Sequence, residues 1–458
     1  MNKKLTAFVT ALTAAVSSAV VYSAEDKQED IVMPTGAAQL EVREIISSQG
    51  EPDIMSDADM GLMWEAPSFY GYGSDYGYRD MDKRSSSEER KKCYKDMLER
   101  CEMFKTSDAN IELSTVNYKD GTSEQVHFLP EVAGKEYAYN LTATELIEVY
   151  YTFRNDNPQY YWLSTKVIYG GINEQIILMP CVFDDYADGS KRVSLNSDID
   201  SNVKRFINNA RAWNSKYSMA KRVHDDIVAA VDYGYSDPEK KNPLDTAYAH
   251  SIVGVMDGDS STDAVCEGYA KAYQLVLNAL GINNVYVVGI GYDSNGNGGG
   301  HAWNMVELND RQYYWVDVTW DDQPSRVIYN YFAKGTANFD SHAPFSDEYT
   351  GDNFLYELPT VPDSDFEAKP INVTLERKTD TTLGDTVTIT TDNYNQNSKM
   401  YVAVYDENKI MKYIKAYEDY SESMDIKLDI GTGEEIKVFI FENDNMQPLS
   451  YMAQLKVE

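Results

Sequence analysis

The spacing of apolar residues changes along the chain from a helical period to a strand period. Apolar positions recur every three or four residues in four stretches, which predicts helices over 87–104, 143–154, 198–231 and 267–280. Apolar and polar residues alternate elsewhere, which predicts strands over 160–169, 175–183 and 284–290 and a hairpin with arms at 301–306 and 313–320. Thr142 and Glu145 form a capping-box pattern at the start of the second helix. This mixture predicts an α+β protein.

The C-terminal residues show a different pattern. Residues 370–458 form several short alternating segments, with apolar pairs such as Val387/Ile389 and Val438/Ile440. The pattern predicts an all-β sandwich. The segment contains neither Cys nor His, so we expect no nucleophilic site there.

The length of 458 residues predicts more than one domain. Residues 25–84 are acidic and irregular and end in a Gly/Tyr-rich run, which predicts a flexible linker. A pro-segment that covers a functional site is the alternative for this stretch. The predicted organisation is a signal peptide (1–24), the linker (25–84), an N-terminal α+β extension (85–195), a central domain (196–357) and the β-sandwich (370–458).

The N-terminus and the charge restrict where the protein acts and what it binds. Lys3 and Lys4 precede an apolar stretch over 5–21, which is typical of a secretory signal, with cleavage after Ala19 or Ala24 left open. We expect no membrane span, since no later apolar run approaches the required length. The formal charge of 41 − 74 = −33 argues against nucleic acid and anionic membranes as partners. The predicted location is secreted or extracellular.

The four cysteines do not indicate a disulfide framework. Cys93 and Cys101 lie eight residues apart on one predicted helix, which separates them by about 12 Å along its axis. Met97 and Phe104 share their helical face, so core thiols are predicted. Cys181 follows an apolar run and is also expected to be buried.

Cys266, His301 and Asp317 are the candidate site residues. Cys266 begins a predicted helix after the acidic loop 257–263, and a helix N-terminus favours a thiolate. His301 follows three glycines, and Asp317 is flanked by Trp315, Val316, Val318 and Trp320. A thiol, an imidazole and a carboxylate are the components of an activated cysteine nucleophile. The alternatives are an inert core cysteine, a solvated histidine and a structural aspartate.

The hairpin register decides whether His301 and Asp317 can meet. With Asn309 and Asp310 as a two-residue turn, His301 would pair with Val318 and face away from Asp317. We therefore predict an odd-length loop or a bulge around residues 308–311.

The remaining histidines and a calcium-like loop are weaker candidates. Structural roles are favoured for the other four histidines, His127, His224, His250 and His342, although His250 and His342 could lie at the rim of the cleft. Residues 293–300 begin like a calcium loop, but its twelfth position is Asn304 rather than Glu, so we interpret it as a flexible substrate-gating loop. Asp257, Asp259 and Asp263 are more consistent with a solvated loop than with a calcium site. No zinc-ligand spacing is present. We expect no cofactor and no metal.

Three blocks together resemble a known family. VCEGYAKAYQ (265–274), HAWNMV (301–306) and WVDVTWDD (315–322) are similar to the bacterial, secreted transglutaminase-like superfamily. The resemblance covers about 245–345 and implies a papain-like core in the domain 196–357, which makes that domain catalytic. The implied fold is α+β, with an N-terminal α+β extension and a C-terminal β-sandwich.

The resemblance also implies roles for the site residues. Cys266 would be the nucleophile, His301 the general base and then acid, and Asp317 the group that orients the imidazole, with Asp321 or Asp322 as replacements. The Cys266 N–H would form half of an oxyanion hole, whose second donor stays unassigned. The implied activity is thiol-dependent acyl transfer on protein or peptide amides, as a cysteine protease or a transglutaminase, with cell-wall association as one setting. The alternative is a non-catalytic cell-surface binding or scaffold protein with a vestigial triad.

Overall fold

A computed structural model describes residues 41–44, 54–55 and 73–458, except 133–134, 173, 212–214, 239–241, 260–262, 310, 325, 346–356, 368–372, 379–385, 392–397, 419, 429, 443–452 and 458. The chain is 32% helical and 35% strand, so the prediction of mixed helix and strand content is confirmed. The predicted signal peptide lies outside the described residues. No helix in the described part is long and apolar enough to cross a membrane.

The N-terminal part packs two helices, Ser87–Thr106 and Ala143–Asp156, beside a mixed sheet. The order of strands across that sheet is Glu41–Glu44, Leu163–Ile172, Gln175–Val182, Ser123–Phe128 and Ser114–Asn117, with Ala138–Tyr139 paired to Gln175–Val182. Ile54–Met55 and Glu131–Val132 form a separate small parallel pair. Thr142 Oγ1 accepts from the Glu145 N–H while Glu145 accepts from the Thr142 N–H, so the predicted capping box is confirmed.

The apolar face of the Ser87–Thr106 helix is buried as predicted. Cys93, Met97, Cys101 and Phe104 are each at most 1% exposed. All four cysteines of the chain lie in the described part and are buried. The prediction of buried thiols at Cys93, Cys101 and Cys181 is therefore confirmed.

Residues 73–84 differ from the predicted linker. They form a short helix, Tyr76–Asp80, and a 3₁₀ turn, Met81–Lys83, with Asp80 and Met81 buried. Asp156 accepts hydrogen bonds from the N–H groups of Gly77 (3.1 Å) and Tyr78 (3.0 Å). The composition of this stretch is typical of a linker, but the stretch is folded. Its backbone N–H groups are hydrogen-bonded to a carboxylate that is distant in the sequence, and composition does not indicate such a partner.

The central part contains the helices that carry the site. The long helical region predicted over 198–231 is two helices, Gly189–Arg211 and Lys216–Val228. Gly189–Arg211 spans the predicted domain boundary at 195/196, and one apolar cluster includes residues from both sides of it, such as Phe153 and Tyr273. The N-terminal extension and the central part therefore share a core. Shorter elements complete this region: Asp184–Tyr186, Tyr235–Asp237, Asn242–Pro243, Val253–Met256, Asp322–Gln323, Arg326–Val327 and Thr336–Asn338.

The helix Cys266–Ala279 packs on a four-stranded antiparallel sheet. The strand order is Gln312–Val316, Gly298–Asn309, Asn284–Tyr292 and His342–Pro344. Gly281 follows the helix with a φ of +71°, the left-handed conformation that ends helices. The helix and the sheet together place the candidate residues described below.

The C-terminal strands lie in two antiparallel sheets. One contains Val373–Lys378, Thr386–Thr391 and Ser423–Lys427, and the other contains Met411–Tyr417, Ser398–Tyr405, Glu435–Glu442 and Ala453–Lys456. Their inward residues form one apolar cluster that is separate from the main core and includes Val387, Ile389, Val402, Ile426 and Val438. The alternation in the sequence thus marks the buried face of each strand.

Candidate active site

Cys266 occupies the first turn of its helix, directly after the N-cap residue Val265. Val265 extends away from the helix and donates its N–H to the Ala249 carbonyl at 3.1 Å. A Cβ on Gly268 would lie 2.5 Å from the same Ala249 oxygen, so glycine is required for this close approach. Cys266 is fully buried, and its sulfur lies among apolar neighbours where the helix dipole favours negative charge.

A bulge in the hairpin brings His301 towards Asp317. Glu307 pairs with Tyr313 and Asn309 pairs with Gln312, so Leu308 is the extra residue between the two pairs. The extra residue reverses the alternation of faces between the two arms. The predicted bulge around 308–311 is therefore confirmed.

Asp317 ends the strand instead of continuing it. The sequence placed it within an arm over 313–320, but the strand stops at Val316 and Asp317 is the N-cap of a short helix, Val318–Asp321. Its Oδ1 accepts from the N–H groups of Thr319 (2.9 Å) and Trp320 (3.2 Å). Capping fixes the carboxylate plane and leaves Oδ2 directed away from the helix.

Oδ2 of Asp317 accepts hydrogen bonds from two imidazoles. His301 Nε2 lies at 2.7 Å and His342 Nε2 at 3.0 Å. Burial acts to raise the pKa of Asp317, but the two histidines hold it well below its usual range. The carboxylate is therefore ionised although it is only 1% exposed.

His301 is a buried imidazolium at neutral pH. Burial acts to lower its pKa, but the Asp317 carboxylate and the Cys266 thiol together raise the pKa to about 10. Its Nδ1 is buried and has no hydrogen bond of normal geometry among the described residues, yet Cys266 is close enough to interact with the ring. Such loose contact is common before substrate binds. His301 thus connects the thiol with the carboxylate.

His342 is the site residue for which the sequence favoured a structural role. Burial lowers its pKa to about 4, so the ring is neutral. Its Nδ1 accepts from Ser341 Oγ at 3.1 Å, which leaves Nε2–H to donate to Asp317. The ring stacks on Phe339 with centroids 3.9 Å apart. His342 therefore stabilises the Asp317 anion without adding a second cation.

The one sequence signal related to His342 is the pair of glycines in the strand that lies next to it. The strand His342–Pro344 pairs with Gly289, Ile290 and Gly291. A side chain at Gly289 would overlap the Ala343 carbonyl. Glycine inside a strand often marks a close approach of this kind, but it does not identify the approaching segment.

The other predicted candidates lie outside this cluster. Asp321 accepts from His224 Nε2 at 3.2 Å, and Asp322 accepts from the Tyr269 hydroxyl at 2.7 Å, so neither replaces Asp317. His224 is fully buried between Asp225 and Asp321, which raise its pKa to about 9 against the effect of burial. A structural role for His224 fits these contacts.

His301, Asp317 and His342 also form a group with metal-ligand chemistry. The three ligand atoms lie within 4.8 Å of one another. A metal would need unprotonated Nε2 atoms, whereas each Nε2 lies at hydrogen-bond distance from the same carboxylate oxygen. Hydrogen bonding accounts for the cluster, and the expectation that no metal is bound stays a prediction.

In the calcium-like loop, the first acidic side chain accepts hydrogen bonds from the backbone of the loop itself. Asp293 Oδ1 accepts from the N–H groups of Asn295 (2.9 Å) and Asn297 (2.8 Å). Asn304 lies inside the strand and donates to the Ala270 carbonyl at 3.1 Å. The described contacts therefore match a turn closed by Asp293.

Tyr233 and Phe345 lie beside the cluster of apolar residues around Cys266. Both rings are partly exposed and pack against that cluster. An isolated bridge between Tyr233 and Ala264 holds the Tyr233 segment beside the start of the helix. The Tyr233 hydroxyl is buried without a hydrogen bond of normal geometry among the described residues. Burial raises its pKa, and the backbone N–H of Cys266 acts in the opposite direction, which places the two groups near each other.

Comparison with known proteins supports the family resemblance over part of the chain. Residues 205–319 match the model of the transglutaminase-like superfamily, a range that contains Cys266, His301 and Asp317. A comparison with curated proteins found no match.

Two solved transglutaminase structures show weak similarity. The crystal structure of a TGase is 16% identical with a TM-score of 0.22, and the alignment covers 41% of this chain and half of that one (50%). The red sea bream transglutaminase is 12% identical with a TM-score of 0.20, over 77% of this chain and 70% of that one. The chemistry of the site is therefore inferred from its own residues.

The ion pair between His301 and Asp317 makes stability depend on pH. Its stabilisation is fully present below the unfolded pKa of histidine, about 6.5, and above that of aspartate, about 3.9. It decreases as pH rises through the folded pKa of His301, about 10. We expect Asp317→Asn to lower the free energy of unfolding by roughly 3–5 kcal/mol near pH 5–6 and by much less near pH 10.

Chemical denaturation of both proteins across this pH range checks the prediction. Asp340→Asn, at an exposed position, is the control for loss of one carboxylate. A loss in Asp317→Asn that is the same at every pH would contradict the ion pair.

Proposed function

We propose that this chain is a secreted, thiol-dependent acyl-transfer enzyme that acts on protein or peptide amides through Cys266, His301 and Asp317. The observation that carries the proposal is the buried imidazolium of His301, bonded to Asp317 on one nitrogen and adjacent to the Cys266 thiol on its other side. A positive charge next to a thiol at a helix N-terminus favours the thiolate, which is the nucleophilic form. The proposed setting is outside the cell, on the basis of residues 1–24.

The reaction proceeds in two steps, formation of a thioester on Cys266 and its breakdown by water or an amine. The Cys266 thiolate attacks the amide carbonyl carbon, and its electron pair forms the C–S bond while the carbonyl oxygen becomes an oxyanion. His301 then donates its proton to the departing nitrogen, so the C–N bond breaks and ammonia or an amine leaves a thioester. Water or a second amine attacks the thioester, gives its proton to His301 and releases the thiolate.

Tyr233 is the proposed second donor of the oxyanion hole. Cys266 lies in the first turn, where a backbone N–H has no partner inside the helix. The Tyr233 hydroxyl is buried, has no regular hydrogen bond among the described residues and lies near that N–H. Two donors directed at one point are the requirement for stabilising a developing oxyanion.

His342 supports the same chemistry from the far side of Asp317. It donates to Oδ2 as a neutral group, and the carboxylate therefore stays ionised while only His301 carries a positive charge. A charged neighbour in this position would repel the imidazolium that the reaction needs. His342 is thus a positioning residue and makes no direct contact with the reacting atoms.

The competing interpretation is a cell-surface scaffold protein with a vestigial triad. Its site would have no reason to keep a buried charge pair, because unneeded buried charges are costly. Here three residues, a capping interaction and a bulge all serve one arrangement. Those features favour the enzyme.

Replacement of Cys266 tests the proposed function. We expect Cys266→Ala to release no ammonia or amine from glutamine-containing peptides and proteins, because the residue forms the acyl bond. Mass spectrometry of the products distinguishes hydrolysis, peptide cleavage and amine incorporation. Cys181→Ala removes a buried thiol elsewhere and should retain turnover. Equal turnover in Cys266→Ala and the native chain would exclude this mechanism.

Replacement of Tyr233 tests the oxyanion hole. We expect Tyr233→Phe to lower kcat by about 100-fold with little change in KM, since the lost hydrogen bond acts mainly in the transition state. Tyr235→Phe is the control, because its ring lies 5.0 Å from that of Tyr233. A kcat for Tyr233→Phe within twofold of the native value would assign the second donor to another group.

A further inference from the structure

The indole of Trp320 lies against the imidazole of His301. The two rings are nearly parallel, with centroids 4.8 Å apart and an angle of 20° between their planes. Both side chains are fully buried. The same indole also contacts the ring of His342, at a centroid distance of 4.2 Å. One side chain therefore touches both imidazoles that share an oxygen of Asp317.

The backbone of Trp320 is fixed by the carboxylate that binds His301. Asp317 is the N-cap of the short helix Val318–Asp321, and its Oδ1 accepts from the Trp320 N–H at 3.2 Å. Its Oδ2 lies 2.7 Å from His301 Nε2. The helical turn that begins at this cap returns the Trp320 side chain to the imidazole that Asp317 holds. Asp317 therefore contacts the edge of the imidazole, and Trp320 lies over its face.

Gly291 leaves the room that this ring contact requires. A Cβ at position 291 would lie 2.7 Å from Trp320 Cζ2 and 3.2 Å from His301 Cδ2. Carbon atoms pack at about 3.5–4.0 Å, so a side chain here would displace the indole or the imidazole. Gly291 lies inside the strand Asn284–Tyr292, where glycine often marks a close approach of another group. The approaching groups at this glycine are the two stacked rings.

The indole face stabilises the positive charge on His301. The imidazolium is bonded to Asp317 on one side and adjacent to the Cys266 thiol on the other. An aromatic face attracts a cation within about 6 Å of its centre, tryptophan most strongly, and the attraction increases where water is excluded. An aliphatic side chain in the same place would fill the space but would not attract the cation. Trp320 therefore favours the protonated form of His301.

The stack also restricts the orientation of the imidazole. Rotation of the His301 ring about its Cβ–Cγ bond would move the ring edge into the indole, because the two planes are nearly parallel. The orientation that fits directs Nε2 to Asp317 and leaves the other nitrogen on the side of Cys266. Both steps of the proposed reaction need this orientation, since the same nitrogen gives and receives the proton.

We propose that Trp320 is a positioning residue, which stacks on the His301 imidazolium, stabilises its charge and holds it between Asp317 and Cys266. The inference rests on the proposed function, because it takes His301 as the group that transfers the proton. Trp320 acts on the reaction through His301, and Gly291 provides the space for the stack.

Two smaller side chains separate the aromatic face from simple packing. Trp320→Phe keeps an aromatic face beside the imidazole, whereas Trp320→Leu fills part of the same space without one. With a glutamine-containing peptide, we expect Trp320→Leu to lower kcat by about tenfold with KM changed less than about twofold, and Trp320→Phe to retain most of the native kcat. Equal losses of kcat in the two variants would assign Trp320 to packing alone and overturn the proposal.

A buried tryptophan elsewhere is the matched control. Trp162 is fully buried and packs on Phe104, with ring centroids 5.7 Å apart. We expect Trp162→Leu to keep the native kcat at a temperature below its Tm, although it loses as much indole packing as Trp320→Leu. A kcat for Trp162→Leu as low as that of Trp320→Leu would contradict a specific role for the indole at 320.

Replacement of Gly291 tests the same ring contact without changing either ring. We expect the methyl group of Gly291→Ala to displace the indole and to lower kcat about as much as Trp320→Leu does. Gly171→Ala is the control, since a Cβ there would lie 3.9 Å from the nearest atom, the Gln175 carbonyl oxygen. The Tm of each variant reports whether it folds. A native kcat in folded Gly291→Ala would contradict the stack.

NMR of ring-labelled histidine detects the stack without turnover. A proton over an aromatic face resonates upfield, so the ring signals of His301 should move downfield in Trp320→Leu and stay unchanged in Trp162→Leu. The chain has five histidines, and comparison with His301→Gln identifies the signals of His301. This result would stand even if the native chain showed no acyl transfer, so failure of the proposed function is recognised separately. His301 signals at the same position in the native chain and in Trp320→Leu would overturn the proposal.

Discussion

The whole site depends on one buried carboxylate with four hydrogen bonds. Asp317 accepts two backbone N–H groups on Oδ1 and two imidazoles on Oδ2. A buried carboxylate is costly unless it is bonded in this way, and its four donors come from three different constraints of the fold. The helix cap fixes its orientation, the hairpin delivers His301, and the edge strand delivers His342. Loss of any of these elements would leave an unbalanced charge in the core.

The two histidines have different roles because their surroundings shift their pKa values in opposite directions. They share one acceptor oxygen, yet the pKa of His301 is raised to about 10 while that of His342 is lowered to about 4. The difference follows from their surroundings: His301 lies between Asp317 and Cys266, whereas His342 is enclosed by aromatic rings and accepts from Ser341. One ring can therefore transfer protons while the other holds the carboxylate.

The sequence predicted those parts of the site that depend on local pattern. Helix spacing located Cys266 at a helix start, and the period of two required the bulge that the structure has at Leu308. The contributions of His342 and Tyr233 could not be predicted, since each depends on a distant backbone pairing. Composition misassigned residues 73–84, whose buried contacts are made with Asp156. Local periodicity predicts which face of a helix or strand is buried, but it does not predict which distant segment packs against that face.

The rate of Cys266 alkylation tests the central claim most directly. An imidazolium next to the thiol should make the native chain react with iodoacetamide near pH 7 about tenfold faster than His301→Gln, because His301 stays protonated at that pH. Mass spectrometry should locate the label on Cys266, since burial raises the pKa of Cys93 and Cys101. A native rate equal to that of His301→Gln, or equal labelling of Cys93 and Cys101, would contradict an activated nucleophile.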